Sequence, residues 1–190
     1  MNRIIIIGNS GSGKSTLAKE LAVRLNLPLI HLDKLFWRDN WQHISRDEFD
    51  DLLLSELKKE RWIIDGNFGR TIPLRLQYCD SVIYLDYPRI TCILGVLKRV
   101  ITGYGRTRSD MGDNCPERFD FKFLKFVWNF NQKNRRRYHE MLKLKTIKIL
   151  LFFIIARSVL HFYKIFYIEP DKICIFLIDL KILKVEKIYE

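Results

Sequence analysis

Ile4-Ile5-Ile6-Ile7-Gly8-Asn9-Ser10-Gly11-Ser12-Gly13-Lys14-Ser15-Thr16 is the stretch on which the fold turns. Four successive isoleucines read as a strand buried on both faces, as in the middle of a parallel sheet. The residues that follow match the phosphate-binding loop G-x-x-x-x-G-K-[ST], placed between that strand and an amphipathic helix over about Lys14 to Leu25. Glycine lets successive backbone N–H groups turn inward around a phosphate chain with no Cβ in the way. The helix directs its positive N-terminal end at the same phosphates. Gly8 to Thr16 therefore form the candidate nucleotide site. Lys14 supplies a cation for the β- and γ-phosphates and Ser15 a hydroxyl ligand for Mg²⁺. The expected ligand is a nucleoside triphosphate, with ATP and Mg²⁺ as cofactors.

The 190 residues suit one domain with a proper core. Cys79, Cys92, Cys115 and Cys174 form no C-x-x-C pair, which argues against a zinc knuckle or a disulfide framework and for reduced thiols in the cytoplasm. Met1-Asn2-Arg3 leads straight into the first strand, so no signal peptide is expected. The net charge of +11 suits nucleic acid, a membrane surface, or an enzyme handling two polyanions. Arg135-Arg136-Arg137, the densest cluster, reads as a solvated helix face, a phosphate-facing group or a nucleic-acid contact.

Strands are expected at Arg3–Ile7, Leu29–Leu32 (ending at Asp33), Arg61–Ile64 and Ser81–Leu85. Ser45-Arg46-Asp47-Glu48 is a capping box opening a helix to about Glu60. Further helices are expected at Pro73 to Cys79, Arg89–Ile101 and Asp120 to about Leu142. The segment Thr102–Phe119, rich in Gly, Asp, Asn and Arg, reads as a mobile loop or lid. Strands alternating with helices imply an α/β fold, a parallel sheet with helices on both faces. Ligands in such sheets collect beyond the carboxyl ends of the strands, which singles out Asp33, Asp65-Gly66-Asn67 and Asp86 beside the phosphate loop. Asp65, after Trp62-Ile63-Ile64, is either a carboxylate orienting the Mg²⁺ shell or a plain Asp-Gly turn.

Asp65-Gly66-Asn67-Phe68-Gly69-Arg70-Thr71-Ile72-Pro73 resembles the D-G-F-P-R-T segment of the adenylate kinase group, with Asn67-Phe68-Gly69 in place of the usual Phe-Pro. That likeness implies that Arg70 grips the acceptor's phosphate. Asp86-Tyr87-Pro88 and Arg99 resemble the approach to the kinase lid. The lid block Gly105-Arg106-Thr107-Arg108-Ser109-Asp110-Met111-Gly112 with Cys115-Pro116-Glu117 is similar to that of the "DNA topology modulation protein" family of small P-loop ATPases or kinases. His31-Leu32-Asp33, Trp37, Trp41, Asp65-Gly66-Asn67 and Phe123…Trp128-Asn129 resemble the same family, over about residues 2 to 142. The resemblance implies a three-layer P-loop NTPase fold with a lid over about 102–119.

Phosphoryl transfer asks for alignment and charge neutralisation. Lys14, Mg²⁺ on Ser15 and Asp65, Arg106, Arg108 and Arg135 are the candidates to surround the migrating group. Each lid arginine reads equally as a solvated loop charge. Asp33 is placed to take the proton of a hydroxyl acceptor, a role that a phosphate acceptor would not need. Trp37, Arg38 and Trp41, with Asp65, Asn67 and Arg70, are the acceptor-side candidates; the indoles either stack on the acceptor or cap the core. His31 reads as a packed strand residue.

From Lys143 onward the chain is nearly all Ile, Leu, Lys, Phe and Tyr. A last parallel strand fits Thr146–Phe153, and a hairpin fits Phe162–Ile168 and Ile173–Ile178 around Glu169-Pro170-Asp171-Lys172. Ile147–Ile155 is too short to span a bilayer, so no stable membrane insertion is expected. The kinase-like domain is therefore set at 1–150 and the atypical tail at 151–190. Back-translating Leu150–Lys164 with A/T-rich codons and reading two bases later can give an ending close to the one the resembled family would have. The hypothesis is a frameshift near residues 143–150.

The leading expectation is a kinase that transfers the γ-phosphoryl group of ATP to a small-molecule acceptor of the nucleoside or nucleotide type. The alternative is a P-loop ATPase regulating DNA topology. DNA is not favoured, because no groove-reading element is visible.

Overall fold

A computed structural model describes residues 1–143, apart from which it describes the backbone of strands 148–153, 162–169, 172–179 and 182–187. The elements run β1 (Arg3–Gly8), α1 (Lys14–Leu25), β2 (Leu29–His31), α2 (Leu32–Phe36), β3 (Trp37–Arg38), a single 3₁₀ turn, β4 (Gln42–His43), α3 (Arg46–Leu57), β5 (Trp62–Asp65), α4 (Ile72–Tyr78), β6 (Ser81–Leu85), α5 (Arg89–Gly103), α6 (Phe121–Lys143), β7 (Lys148–Phe153), β8 (Phe162–Glu169), β9 (Lys172–Asp179) and β10 (Ile182–Lys187).

Strands β2, β5, β1, β6 and β7 lie side by side in that order, all parallel. Strands β8, β9 and β10 continue the sheet antiparallel. The expected hairpin after residue 160 is thus present as β8 and β9, while Pro170 and Asp171 between them lie outside the described residues. The second strand ends at His31, two residues before Asp33. Asp33 sits instead in the first turn of α2, where a carboxylate favours the helix N-terminus.

The isoleucine run behaves as a doubly buried strand must. Ile5 and Ile7 face one core with Trp62, Ile64 and Tyr84, covered by Phe49 and Leu53 of α3 and by Phe130 and Tyr138 of α6. Ile4 and Ile6 face the other core with Ile63 and Ile83, covered by Leu17 of α1 and by Cys92 and Val96 of α5. All four isoleucines are fully buried. Among the described residues no helix is long and apolar enough to cross a membrane. The Ser45 cap also forms, its Oγ accepting from the Glu48 N–H at 3.1 Å.

Asp80 fastens the start of β1 to the start of β6. Its Oδ2 accepts from the N–H groups of Asn2 (2.7 Å) and Arg3 (3.0 Å), and its Oδ1 from the Ser81 hydroxyl (2.7 Å). Partial burial pushes the carboxyl upward, but the bonds from Ser81, Asn2 and Arg3 outweigh it and hold the group below the ordinary carboxylate value. A carboxylate depressed in the folded state stabilises above its unfolded value and loses that contribution as pH falls through the folded one. Replacing Asp80 with alanine should therefore cost on the order of 1 kcal/mol at neutral pH after solvent screening. In chemical denaturation the gap between the two proteins should close as pH drops below about 4.

Candidate functional site

The loop between β1 and α1 is shaped by three glycines held in the left-handed or neighbouring positive-φ regions, of which two also meet the neighbouring backbone. A Cβ on Gly8 would lie 2.6 Å from the Leu85 carbonyl oxygen, and one on Gly11 would lie 2.1 Å from that of Cys92. Gly13 has open space around it, and its φ of +87° alone explains the residue. The Gly8 N–H donates to Asn67 Oδ1 at 2.9 Å, which ties the loop to the turn after β5. Buried Asn9 donates to the Val127 carbonyl of α6 at 2.8 Å and accepts from the Ser10 N–H at 2.8 Å. Lys14 Nζ folds back onto the Asn9 carbonyl at 2.8 Å. Burial lowers the Lys14 pKa, opposed by the charges of Asp65 and Asp33.

A cavity of about 670 Å³ opens from this loop, lined by Ser10, Gly11, Gly13, Lys14, Ser15 and Thr16 on one side and by Asp33, Asp65 and Asn67 beside them. Asp65 is buried, and its Oδ2 accepts from His31 Nδ1 at 3.0 Å, while its buried Oδ1 has no hydrogen-bond partner among the described residues. A hard divalent cation takes oxygen ligands, and an orphaned carboxylate oxygen in the same cavity as the Ser15 hydroxyl fits Mg²⁺. Burial raises the Asp33 pKa, with Asp65 adding to it and Lys14 opposing it.

The segment expected to be a mobile lid is packed. Bridges join Tyr104 to Glu117 and Thr107 to Pro116, and Asp110, Met111, Cys115 and Glu117 are buried. Glu117 Oε1 pairs with Arg108 Nε at 2.6 Å and with Arg99 Nε at 3.0 Å. Arg108 Nη1 also pairs with Asp110 Oδ2 at 2.6 Å. Burial would raise the Asp110 pKa, yet Arg108, a hydrogen bond from Ser15 and the Lys19 charge bring it below the ordinary value. Arg99 and Arg108 line the cavity. Arg106 does not: its side chain is exposed, and only its backbone joins the lid.

Part of the lining is aromatic: Phe36, Trp37, Trp41 and Phe68 belong to it, with Trp37 and Trp41 edge to face at 5.7 Å. Trp37 and Asn67, both acceptor-side candidates, line the cavity. Three arginines do not. Arg70 is exposed and forms a two-pronged pair with Asp50 at 2.7 and 2.6 Å. Arg38 reaches Glu48 at 3.5 Å on the outer surface. Arg135 pairs with buried Asp86 at 2.7 Å, beside His139 at 3.2 Å. Each is held by a carboxylate outside the cavity lining, so none faces the phosphate loop or the acceptor wall.

No family model matches the chain. The chain is 28% identical over 109 residues to adenylate kinase from Clavibacter michiganensis subsp. michiganensis, an overlap of 56% of this chain and 53% of that protein. It thus spans about half the length of the curated relative it matches. It superposes on shikimate kinase from Acinetobacter baumannii, solved with shikimate, at TM-score 0.54 and 16% identity, covering 84% of this chain and 86% of that one. Shikimate kinase from Bacteroides thetaiotaomicron gives TM-score 0.47 and 17% identity over 73% and 82%. The chain has the P-loop NTPase fold.

Several parts of this P-loop site escaped the sequence reading. Arg75, fully buried, donates to the Gly66 carbonyl (2.9 Å), to those of Asn67 and Phe68, and to Thr71 Oγ1 (3.2 Å), fixing the turn that carries Asn67. Burial lowers its pKa to about 10. Its i+3 spacing from Ile72 on a short apolar helix was a signal. Glu117 and Arg118 gave none, being one acid and one base in a polar loop. Gly95, in the middle of a helix, was legible as a close approach. A Cβ there would sit 2.1 Å from the Gly11 carbonyl oxygen of the P-loop. Gly95→Ala should destabilise the protein by about 1–3 kcal/mol through this overpacking. Because the displaced atom belongs to the phosphate loop, calorimetric titration should also find ATP binding weakened tenfold or more.

Proposed function

We propose that this chain is an ATP-dependent phosphotransferase acting on a small-molecule acceptor. The observation that carries the reading is one cavity lined together by the phosphate loop, by Lys14, Arg99 and Arg108, and by the aromatic residues Phe36, Trp37, Trp41 and Phe68. In this reading Gly8 to Thr16 bind the triphosphate, and Lys14 exchanges the Asn9 carbonyl for phosphate oxygens. Ser15 and Asp65 would hold Mg²⁺, which when bound neutralises phosphate charge. His31 keeps the Asp65 carboxylate oriented. Glu117 holds the two arginines towards the phosphates, where charge is spread over the oxygens in the transition state.

The reading as a DNA-associated ATPase has less support. Of Arg135-Arg136-Arg137, the first pairs with Asp86 and the second with Glu140 at 2.8 Å, so the triplet is partly neutralised rather than presented to a polyanion. The phosphotransfer unit in this reading is residues 1–150, a division supported by the described cavity lining, which falls between Ser10 and Phe126. We also propose that the tail beyond it arose by a frameshift near residues 143–150; gene sequence lacking the expected ending in the alternate frame would overturn that.

The deciding experiment measures ADP formation with Mg²⁺-ATP across nucleosides, nucleoside monophosphates and sugars. Acceptor-dependent turnover that vanishes in Lys14→Ala supports the phosphotransferase; slow hydrolysis indifferent to every acceptor rejects it. Arg108→Ala should lower kcat on the order of 10³-fold, as loss of a transition-state arginine does. Arg106→Ala should leave kcat within about twofold, since a solvated charge adds little.

A further inference from the structure

Resting on the phosphotransferase reading, we propose that the acceptor is an uncharged hydroxyl compound with a flat ring system, a nucleoside rather than a nucleoside monophosphate. The aromatic wall argues for the ring. Phe36, Trp37, Trp41 and Phe68 are linked edge to face, Phe36 to Trp37 at 5.1 Å and Phe36 to Phe68 at 5.2 Å. Such a surface takes a planar ring by stacking and supplies few hydrogen bonds of its own.

The charges argue for neutrality. An acceptor phosphate needs cations aimed at it, and the chain spends the arginines of this region elsewhere. Arg70 is held by both oxygens of Asp50, and Arg38 leans on Glu48. Arg75 is sealed in the core, its donors taken by backbone carbonyls and Thr71. Arg99 and Arg108 are both paired with Glu117. The cavity lining also includes Asp33, a carboxylate opposed by Asp65 and attracted by Lys14 and Arg108. An acceptor phosphate at Asp33 would meet a like charge, whereas an acceptor hydroxyl donates to that carboxylate.

Arg118 is the exception to weigh. Its guanidinium lies 5.3 Å over the Trp41 ring at the cavity edge, with no carboxylate in ion-pair range among the described residues. In that position it extends the stacking surface.

The step balances without further reactants. The acceptor hydroxyl oxygen bonds to the γ-phosphorus as the bond from that phosphorus to the β-phosphate oxygen breaks. ADP carries off the electron pair, and the hydroxyl proton passes to Asp33. The products are a phosphomonoester and ADP.

The test compares adenosine, guanosine, cytidine and uridine with their 5′-monophosphates, following both ADP and the phosphorylated product. At least one nucleoside should be turned over and its monophosphate should not. Asp33→Asn should cut kcat on the order of 10²-fold or more, with the nucleoside KM within a few-fold. Arg70→Ala and Arg38→Ala should change neither constant beyond twofold. Turnover of monophosphates alone, with a KM raised tenfold in Arg118→Met or Arg70→Ala, overturns the acceptor class and keeps the phosphotransferase. Turnover of sugars alone does the same. No Lys14-dependent ADP formation with any acceptor overturns both.

Discussion

Two backbones meet at Gly11 and Gly95 with no room for a methyl group between them, and the site depends on that contact. A Cβ on either residue would reach about 2.1 Å from an atom of the opposite backbone. The contact sets α5 directly on the phosphate loop. One turn further along, the same helix carries Arg99, which shares Glu117 with Arg108. The phosphate loop, the helix and the lid arginines therefore form one mechanical unit. Close packing of this kind transmits displacement, because an interior without voids has nowhere to absorb it.

Arginine is common in this chain, and most of its uses are structural. Arg75 is buried to hold a turn, Arg135 anchors α6 to Asp86 and Arg70 clamps onto α3 through Asp50. A fixed guanidinium fork satisfies two carbonyls or one carboxylate at once, which suits it to such bracing. The excess positive charge of the sequence thus says less about polyanionic partners than its size suggests.

The fold was legible because its signals are local. The isoleucine run, the glycine-rich loop and the Ser45 box each fix a strand, a turn or a helix start from neighbouring residues, and β6 runs over Ser81–Leu85 as expected. The phosphate-loop motif that lines the cavity could be read for the same reason. The acceptor end could not. Whether Arg70 faces the cavity depends on Asp50, twenty residues away on another helix, and whether Arg135 does depends on Asp86. The polar composition of residues 102–119 suggested mobility, yet Asp110, Met111, Cys115 and Glu117 are buried there. Polar residues that find charged partners pack as firmly as apolar ones, and spacing along the chain does not reveal those partners.

That packing explains how two ends of a cavity on different elements are brought to one geometry. The lid touches both. Lys19 of α1 donates to the Ser109 hydroxyl at 2.9 Å and pairs with Asp110 at 3.9 Å. On the other side a Cβ on Gly112 would lie 2.1 Å from the Trp37 carbonyl oxygen. The Asn114 carbonyl accepts from the Asn40 N–H at 3.1 Å, and the Cys115 thiol donates to the Arg38 carbonyl at 3.1 Å. One loop thus grips the triphosphate side through charge and the aromatic side through backbone contact. In that docked position Glu117 pairs with both Arg99 and Arg108. In the proposed phosphotransferase, alignment of donor and acceptor and delivery of cations would then be a single event, which is what a reaction with little covalent chemistry for the protein requires.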